Sequence, residues 1–353
     1  MMLQRFPTLT LLSVQIIQAV AQLFIYSYLL FLGSYFVLRL LFWDDLWIVA
    51  LISVLIPWIL FPLFLLPLIS GFILQQKRLT IASSIVCLIL IGWLHSNYWS
   101  PQPAAIQDDA LTVKVLSLNL SWHRTKTETL VELLQSETPD LVLLQEPTHR
   151  NTHQVVPYVE ELYPYTFFGN RVGIFSRYPI AEKKMIHLAQ LEEFQQRAIV
   201  NIEGQPVVLY NVQTTAPWIR PQPWIGNLTI PTYEDGDRNL QIADLIDRIH
   251  KETLPVIAAG DFNLTDTSQD YRRLQSIMED AYKQSGYGFG FTWPYGWPLS
   301  DLIKQINWTL THPLFRIDQI WYSSEWSATS SQVLPPTGSE HLPIEASVTL
   351  QLD

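Results

Sequence analysis

One cysteine, Cys87, stands in 353 residues. No disulfide framework is possible, and no thiolate cluster exists to hold a soft metal. Basic residues are scarce, with 22 Lys and Arg against 32 Asp and Glu. Nucleic acid is gripped by Lys and Arg that neutralise phosphates, so non-specific binding to it is disfavoured. A single metal-bridged phosphate at a local site is not excluded. Charge of either sign is nearly missing from residues 1–99, where only Arg5, Arg39, Lys77, Arg78, Asp44 and Asp45 carry it. Positions 100–353 therefore hold 18 basic and 30 acidic residues, a net of −12. No internal repeat is present, which excludes solenoids and propellers.

What the first part has instead is apolar runs. A membrane helix needs about 20 such residues. Leu9 to about Leu32, Leu46 to about Leu66, and Leu79 to Trp99 each supply a run of that kind. Several runs in succession make a cleaved signal peptide a poor reading. Gln15, Gln18 and Gln22 recur at three- and four-residue steps on one helix face, where amides hydrogen-bond between spans. The short loop Gln75-Gln76-Lys77-Arg78 is basic, and the loop holding Asp44 and Asp45 is not. A positive-inside bias then places the N-terminus and the basic loop inside and the acidic C-terminal part outside. Two spans within the first apolar region would move the N-terminus outside without moving the C-terminal part.

Residues 100–110 form a Pro- and Asp-containing linker. The following 111–353 are ample for one sizeable domain. Strand signals fall at Val113–Leu118, Leu141–Gln145, Gly173–Ser176, Val207–Val212, Val256–Ala259, Ile317–Tyr322 and Ile344–Leu350. Helical patterns fall at Thr129–Gln135, Asn239–His250 and Tyr271–Met278. Strands outnumber helices and alternate with some of them, as in layered α/β or α+β domains. Thr215–Asp237 and Phe289–Trp308 read as irregular and rich in Trp. Those tryptophans either pack over the domain, form a substrate rim or touch a bilayer, where Trp is enriched.

Polar residues stand where apolar strands end. Val256-Ile257-Ala258-Ala259 runs into Gly260-Asp261-Phe262-Asn263. Positions two apart share a side of a strand, so Asp261 and Asn263 can face one reacting group. An acid that holds a water beside an amide that donates to an oxyanion suits phosphoester hydrolysis. An Asx-turn after a strand reads equally well at this point. Val113–Leu118 ends on Asn119, and Leu141–Leu144 ends on Gln145-Glu146. A buried Glu there requires a partner or a metal. Asp318 lies on an apolar strand, and His341 precedes the last one. A carboxylate behind a histidine fixes its tautomer and raises its basicity.

The ordered set of Asn119, Gln145-Glu146, Gly173-Ile174-Phe175-Ser176-Arg177-Tyr178-Pro179, Gly260-Asp261-Phe262-Asn263, Arg316-Ile317-Asp318 and Ser339-Glu340-His341-Leu342-Pro343 resembles the endonuclease/exonuclease/phosphatase superfamily. Any one motif is weak, but six in family order are specific, and they cover about residues 111–352. The resemblance implies a four-layer αββα sandwich with its site at one edge of two central sheets. It implies a hydrolase of phosphoester bonds dependent on Mg²⁺ or Mn²⁺. Glu146, Asn119 and Glu340 are the implied metal ligands. Asp261, Asn263, Asp318 and His341 are the implied catalytic set, with Asp261 on the attacking water and Asp318 holding His341. Asn119, Asn263, Gln213 and His341 are the implied substrate contacts.

Two positions depart from the family pattern. Many members have His where this chain has Gln213, and an amide is no general acid. Glu340 stands where Asp is usual. Both departures leave open a receptor or scaffold that keeps the fold and has lost its chemistry. Apolar segments before such a domain resemble membrane-anchored bacterial members. They imply a multi-pass inner-membrane protein with its catalytic domain outside the cytoplasm. The implied substrate is a nucleic acid, a phospholipid headgroup or a small phosphoester. Asn119, Asn227, Asn263 and Asn307 begin glycosylation-like triplets, a pattern too short to carry weight.

Overall fold

The computed structural model describes residues 11–105, 110–121, 125–147, 156–225, 228–301 and 304–351. Arg5 and Leu9, residues 106–109 of the linker and Asn227 lie outside them. The chain divides into two units, one ending at Ser96 and one beginning at Asn97.

In the first unit, helix α1 (Leu11–Phe42) runs unbroken, well beyond the Leu32 expected as its end. Helix α2 (Trp47–Ile59) passes into 3₁₀ and π turns through Ile73, where Pro62 and Pro67 remove backbone donors. Helix α3 spans Lys77–Tyr98. Among the described residues three helical stretches, Ser13–Phe42, Trp47–Ile73 and Lys77–Tyr98, are long and apolar enough to cross a membrane. Gln18 Nε2 donates to the Ile73 carbonyl at 3.0 Å, satisfying an acceptor that the irregular turn leaves open. Arg39 lies 3.6 Å from Asp44, so this charge near a helix end is paired.

The second unit is built on strands β1 (Thr112–Asn119), β2 (Leu141–Gln145), β3 (Tyr165–Gly169), β4 (Val172–Ser176), β5 (Ile180–Ile186), β6 (Gln195–Ile202), β7 (Gln205–Gln213) and β8 (Trp218–Ile225). Further along are β9 (Leu228–Glu234), β10 (Val256–Asp261), β11 (Glu279–Asp280), β12 (Trp297–Pro298), β13 (Thr309–Leu310), β14 (Asp318–Tyr322), β15 (Trp326–Val333) and β16 (Ile344–Leu350). Helices α4 (Thr127–Glu137), α5 (Val156–Leu162), α6 (Gly236–Ile249), α7 (Gln269–Gln275) and α8 (Ala281–Ser285) lie between them. One six-stranded sheet has the order β15-β16-β1-β2-β4-β3, and the other β11-β14-β10-β7-β6-β5.

Side-chain alternation explains the layers. Val113, Val115, Leu141 and Leu143 of the first sheet meet Val207, Leu209, Ile257, Ala259 and Ile320 of the second in one buried cluster. The opposite faces are also apolar. Leu116, Leu118, Val142 and Leu144 pack on Leu130 and Leu134 of α4, and Val208, Tyr210 and Ala258 pack on Ile242 and Leu245 of α6. Strands apolar on both faces need a helix layer outside each sheet, so four layers, αββα, result. Each buried Val, Leu or Ile stabilises by about 1.5–3 kcal/mol.

A polar belt interrupts this core near one end. Gln145 Nε2 donates to Asn211 Oδ1 at 2.7 Å across the sheets. Asn211 Nδ2 lies within 3.1 Å of three acceptors, the Leu144 and Gly173 carbonyls and Gln196 Oε1. These directional bonds fix the register of one sheet against the other where apolar packing alone would let it slide.

Strands β5 and β15 lie at sheet edges, and the sequence signals miss them. Lys183 and Lys184 in β5 and Thr329 and Ser330 in β15 blur the alternation, as expected of edges protected from further pairing. The stretch 215–237, read as irregular, forms the β8–β9 hairpin instead, with Pro221 opposite Pro231. Its prolines hide a strand from a propensity-based reading. Within 289–308, β12 pairs with β13 through Trp297 and Leu310. The described part of the linker is hydrogen-bonded rather than free, since the Gln102 and Ala104 N–H groups donate at 2.8 Å to the carbonyls of Gln284 and Ala328.

Candidate functional site

Alternation and register assemble the site. On β1, β2, β7, β10 and β14 the inward positions nearest one end are Asn119, Gln145, Gln213, Asp261 and Asp318. Asn119 pairs with Gln145 in the first sheet. Asp261 pairs with both Gln213 and Asp318 in the second. The parallel β1–β2 and β7–β10 pairs bring these ends together at one edge.

Three backbone features finish the arrangement. Alternation alone would send Glu146 outward with Leu144, but its φ of +54° turns the chain at that residue. Asn263, with φ +48°, turns the chain after β10. Its N–H donates to Asp261 Oδ1 at 3.0 Å, so an Asx-turn sets Asn263 beside Asp261. Gly260 has φ +151°, and a Cβ there would lie 1.8 Å from the Val212 carbonyl oxygen. Only glycine fits between β7 and the reactive end of β10.

The side chains form a connected set. Asn119 Nδ2 donates to Asp261 Oδ2 at 3.0 Å and reaches Glu146 Oε1 at 3.3 Å. Asn119 Oδ1 accepts the Ser121 N–H at 2.8 Å. His341 Nδ1 lies 2.9 Å from Asp318 Oδ2. Gln213 Nε2 donates to Glu146 Oε1 at 2.6 Å. Asn263 Nδ2 donates to the Thr214 carbonyl at 2.9 Å. Glu340 stands at the margin, with Ser121 Oγ 3.4 Å from its Oε2. All eight residues singled out in the sequence therefore belong to one neighbourhood.

Burial divides the charges. Asp261, Asp318 and His341 are buried, and their ligand atoms lie within 4.8 Å of one another. Burial is the main influence raising the Asp261 carboxyl, to about 7, and the neighbouring Asp318 charge adds to it. The His341 charge and the Asn263 and Asn119 hydrogen bonds oppose that rise. Burial works against a charged His341, but Asp318, by charge and hydrogen bond, then Asp261 and Glu146, outweigh it and push the imidazole up to about 9. At neutral pH the histidine is cationic and Asp261 is poised to take or release a proton.

The donor chemistry at the other half of the site fits a hard divalent cation. Glu146 faces neutral amides and one guanidinium, Arg171, 3.7 Å away, and its side chain is 18% exposed. The oxygens of Glu146 and Glu340, with the amide of Asn119, are the ligand types Mg²⁺ and Mn²⁺ take. Asn119 presents its nitrogen to the acids. A metal bound through its oxygen would require the amide to turn and the Ser121 N–H to find another acceptor.

Several residues have contacts here to which the sequence reading gave no role. Arg171, on the β3–β4 turn, brings a guanidinium 3.7 Å from Glu146 and belongs to no motif. Ser339 Oγ donates to the Asn119 carbonyl at 2.6 Å and accepts the His341 N–H at 3.0 Å, joining the two sides of the site. Its place two residues before His341 was the available signal. Arg238 donates to the Asn263 carbonyl at 3.0 Å from α6, with no local pattern to reveal it.

A model of the endonuclease/exonuclease/phosphatase family matches residues 116–341. Solved structures resemble the same region. A Bacteroides thetaiotaomicron protein of that family has a TM-score of 0.52 at 16% identity, covering 69% of this chain and 100% of that one. The mannosyl-6-phosphatase Bt3783 of the same organism gives 0.50 at 17%, covering 67% and 99%. TDP2 from C. elegans gives 0.50 at 17%, covering 69% and 77%. At these identities the likeness concerns the fold. A search of curated protein sequences finds no match.

Proposed function

Because the chain belongs to the endonuclease/exonuclease/phosphatase family, whose members are generally phosphoester hydrolases, we propose that it is a divalent-metal-dependent hydrolase of phosphoester bonds. In this reading it is anchored by its three apolar helices in a membrane, with the catalytic domain outside the cytoplasm. The observation that carries the reading is the convergence of Asp261, Asp318 and His341 within 4.8 Å, beside the more open Glu146.

Glu146 would hold Mg²⁺ or Mn²⁺, with Glu340 and a turned Asn119 as further oxygen ligands. The cation, when bound, supplies positive charge to the phosphoryl oxygens. Asp261 takes the proton of the attacking water at a carboxylate oxygen, and burial holds its affinity for that proton near neutrality. Asp318 accepts from His341 Nδ1, which leaves Nε2 as the donor for a phosphoryl oxygen. The amides of Asn119 and Asn263 orient substrate and water. Gln213 steadies Glu146 rather than protonating anything, so substrates with good leaving groups are favoured. The acidic balance of the chain favours a single phosphoester over a long polyanion.

The test is turnover by the detergent-purified chain on DNA, RNA, phospholipids and simple phosphodiesters with Mg²⁺ or Mn²⁺. Metal-dependent turnover lost in Asp261→Ala and His341→Ala supports the proposal. No turnover on any substrate, with no metal binding at Glu146, sinks it in favour of a scaffold. Protease accessibility in spheroplasts tests the topology, and protection of the C-terminal domain would overturn it.

A further inference from the structure

The β8–β9 hairpin pairs with neither large sheet. Trp218 and Ile219 are 58% and 57% exposed. Along Trp218–Glu234 the only charges are Arg220 and Glu234, which pair with each other at 3.3 Å. On a strongly acidic domain this segment carries no net charge and exposes Trp218 and Ile219. Pro221 and Pro223 on β8 and Pro231 on β9 remove backbone donors from both strands. A ladder so interrupted is a poor template for another strand, which disfavours a β-strand partner.

The base of the hairpin is tied to the catalytic turn. The Thr214 carbonyl, one residue past β7, accepts Asn263 Nδ2. Arg238, just after β9, is buried and donates both to the Asn263 carbonyl at 3.0 Å and to the Tyr233 hydroxyl of β9 at 3.4 Å. Both ends of the hairpin are therefore held by groups that also hold Asn263.

We propose that the β8–β9 hairpin lies in the headgroup interface of the membrane that the chain's own apolar helices enter, and so offers the catalytic edge to phosphoesters at the bilayer surface. Lipid is the occupant for three reasons. The same chain carries three helices of spanning length. Tryptophan settles at membrane–water interfaces. A hairpin whose two charges pair with each other brings little uncompensated charge to desolvate at a lipid surface. The substrate consequence rests on the hydrolase reading, whereas the contact with lipid does not.

The test uses the full chain, one copy per lipid nanodisc, with Cys87→Ser to remove the native thiol. An environment-sensitive dye is placed by Ile219→Cys on the hairpin or by Lys251→Cys on the exposed turn after α6. Gln222→Cys, on the same strand, serves if Ile219→Cys does not fold. Lipids carrying quenchers about 5–10 Å below the headgroups should cut hairpin emission about twofold and leave Lys251→Cys unchanged. Equal emission at the two sites overturns the inference, as does a hairpin label shielded only when a second copy shares the disc. In a second arm, Trp218→Ser with Ile219→Ser should slow hydrolysis of vesicle phospholipid and spare a soluble nitrophenyl phosphodiester. Equal slowing of both overturns the substrate consequence. A quenched hairpin on a chain that hydrolyses nothing leaves the membrane contact standing and removes the hydrolase reading.

Discussion

The two central sheets bring unlike carboxylates to the same edge. The first supplies Glu146, on a left-handed turn, cushioned by Gln213 and Asn119 and partly open to solvent. The second supplies Asp261 and Asp318, directly paired across strands and buried. A carboxylate that exchanges ligands needs water at its oxygens. One that exchanges a proton near neutrality needs burial to raise its affinity for it. The difference teaches that one edge carries two kinds of carboxylate, set apart by sheet and by solvent access, which the proposed reading assigns to two jobs.

The strongest way to break this division is Asp261→Asn. It keeps the turn acceptor for the Asn263 N–H and removes the base, so kcat should fall by about 10²–10⁴-fold with metal affinity little changed. Steady-state kinetics with metal titration read both, and a metal-affinity loss instead would merge the two roles. Asn211→Ala tests what holds the halves in register. It strips partners from Gln145, Gln196 and two carbonyls, and should cost about 3 kcal/mol in thermal or denaturant unfolding. A neutral result would move the inter-sheet restraint to the apolar core.

Glu146→Gln sharpens the other half. Affinity for Mg²⁺ should fall at least about tenfold, read by calorimetric titration, while residual turnover at saturating metal keeps its pH dependence. Stability against pH tests the buried half on its own. Unfolded, Asp261 ionises near about 3.9 and His341 near about 6.5. Folded, they hold their protons to about 7 and about 9. Between those limits the folded chain binds more protons, so metal-free stability should fall as pH rises from about 4 to about 9. Asp261→Asn should flatten the lower part of the fall and His341→Gln the upper part. Melting curves in chelator check the slope, and a rise over that range would contradict the burial argument.

Much of the domain was legible because its central strands are apolar on both faces. Leu141–Gln145 and Ile344–Leu350 are found with the bounds read from the sequence. The edge strands β3, β5 and β15, the interior strand β6, which opens on Gln195, Gln196 and Arg197, and the proline-laden hairpin were not legible, because polar positions and turn chemistry blur alternation there. Of the site, the strand-end residues could be found by motif, whereas Arg171 and Arg238 reach it across tens of residues and carry no local mark.

The sequence by itself determined the split between an apolar helical region and an acidic domain, the buried strands, and a polar residue at the end of each. Periodicity and composition act over a few residues, so they can be read locally. Only the tertiary structure decided that Asp261 stands beside Asp318 and Gln213, and that Gln213 spends its amide on Glu146. Only it decided that the hairpin shares its base with Asn263. Register between sheets is set by packing and by the Gln145–Asn211 hydrogen bonds across the core, and these join positions that no local pattern relates.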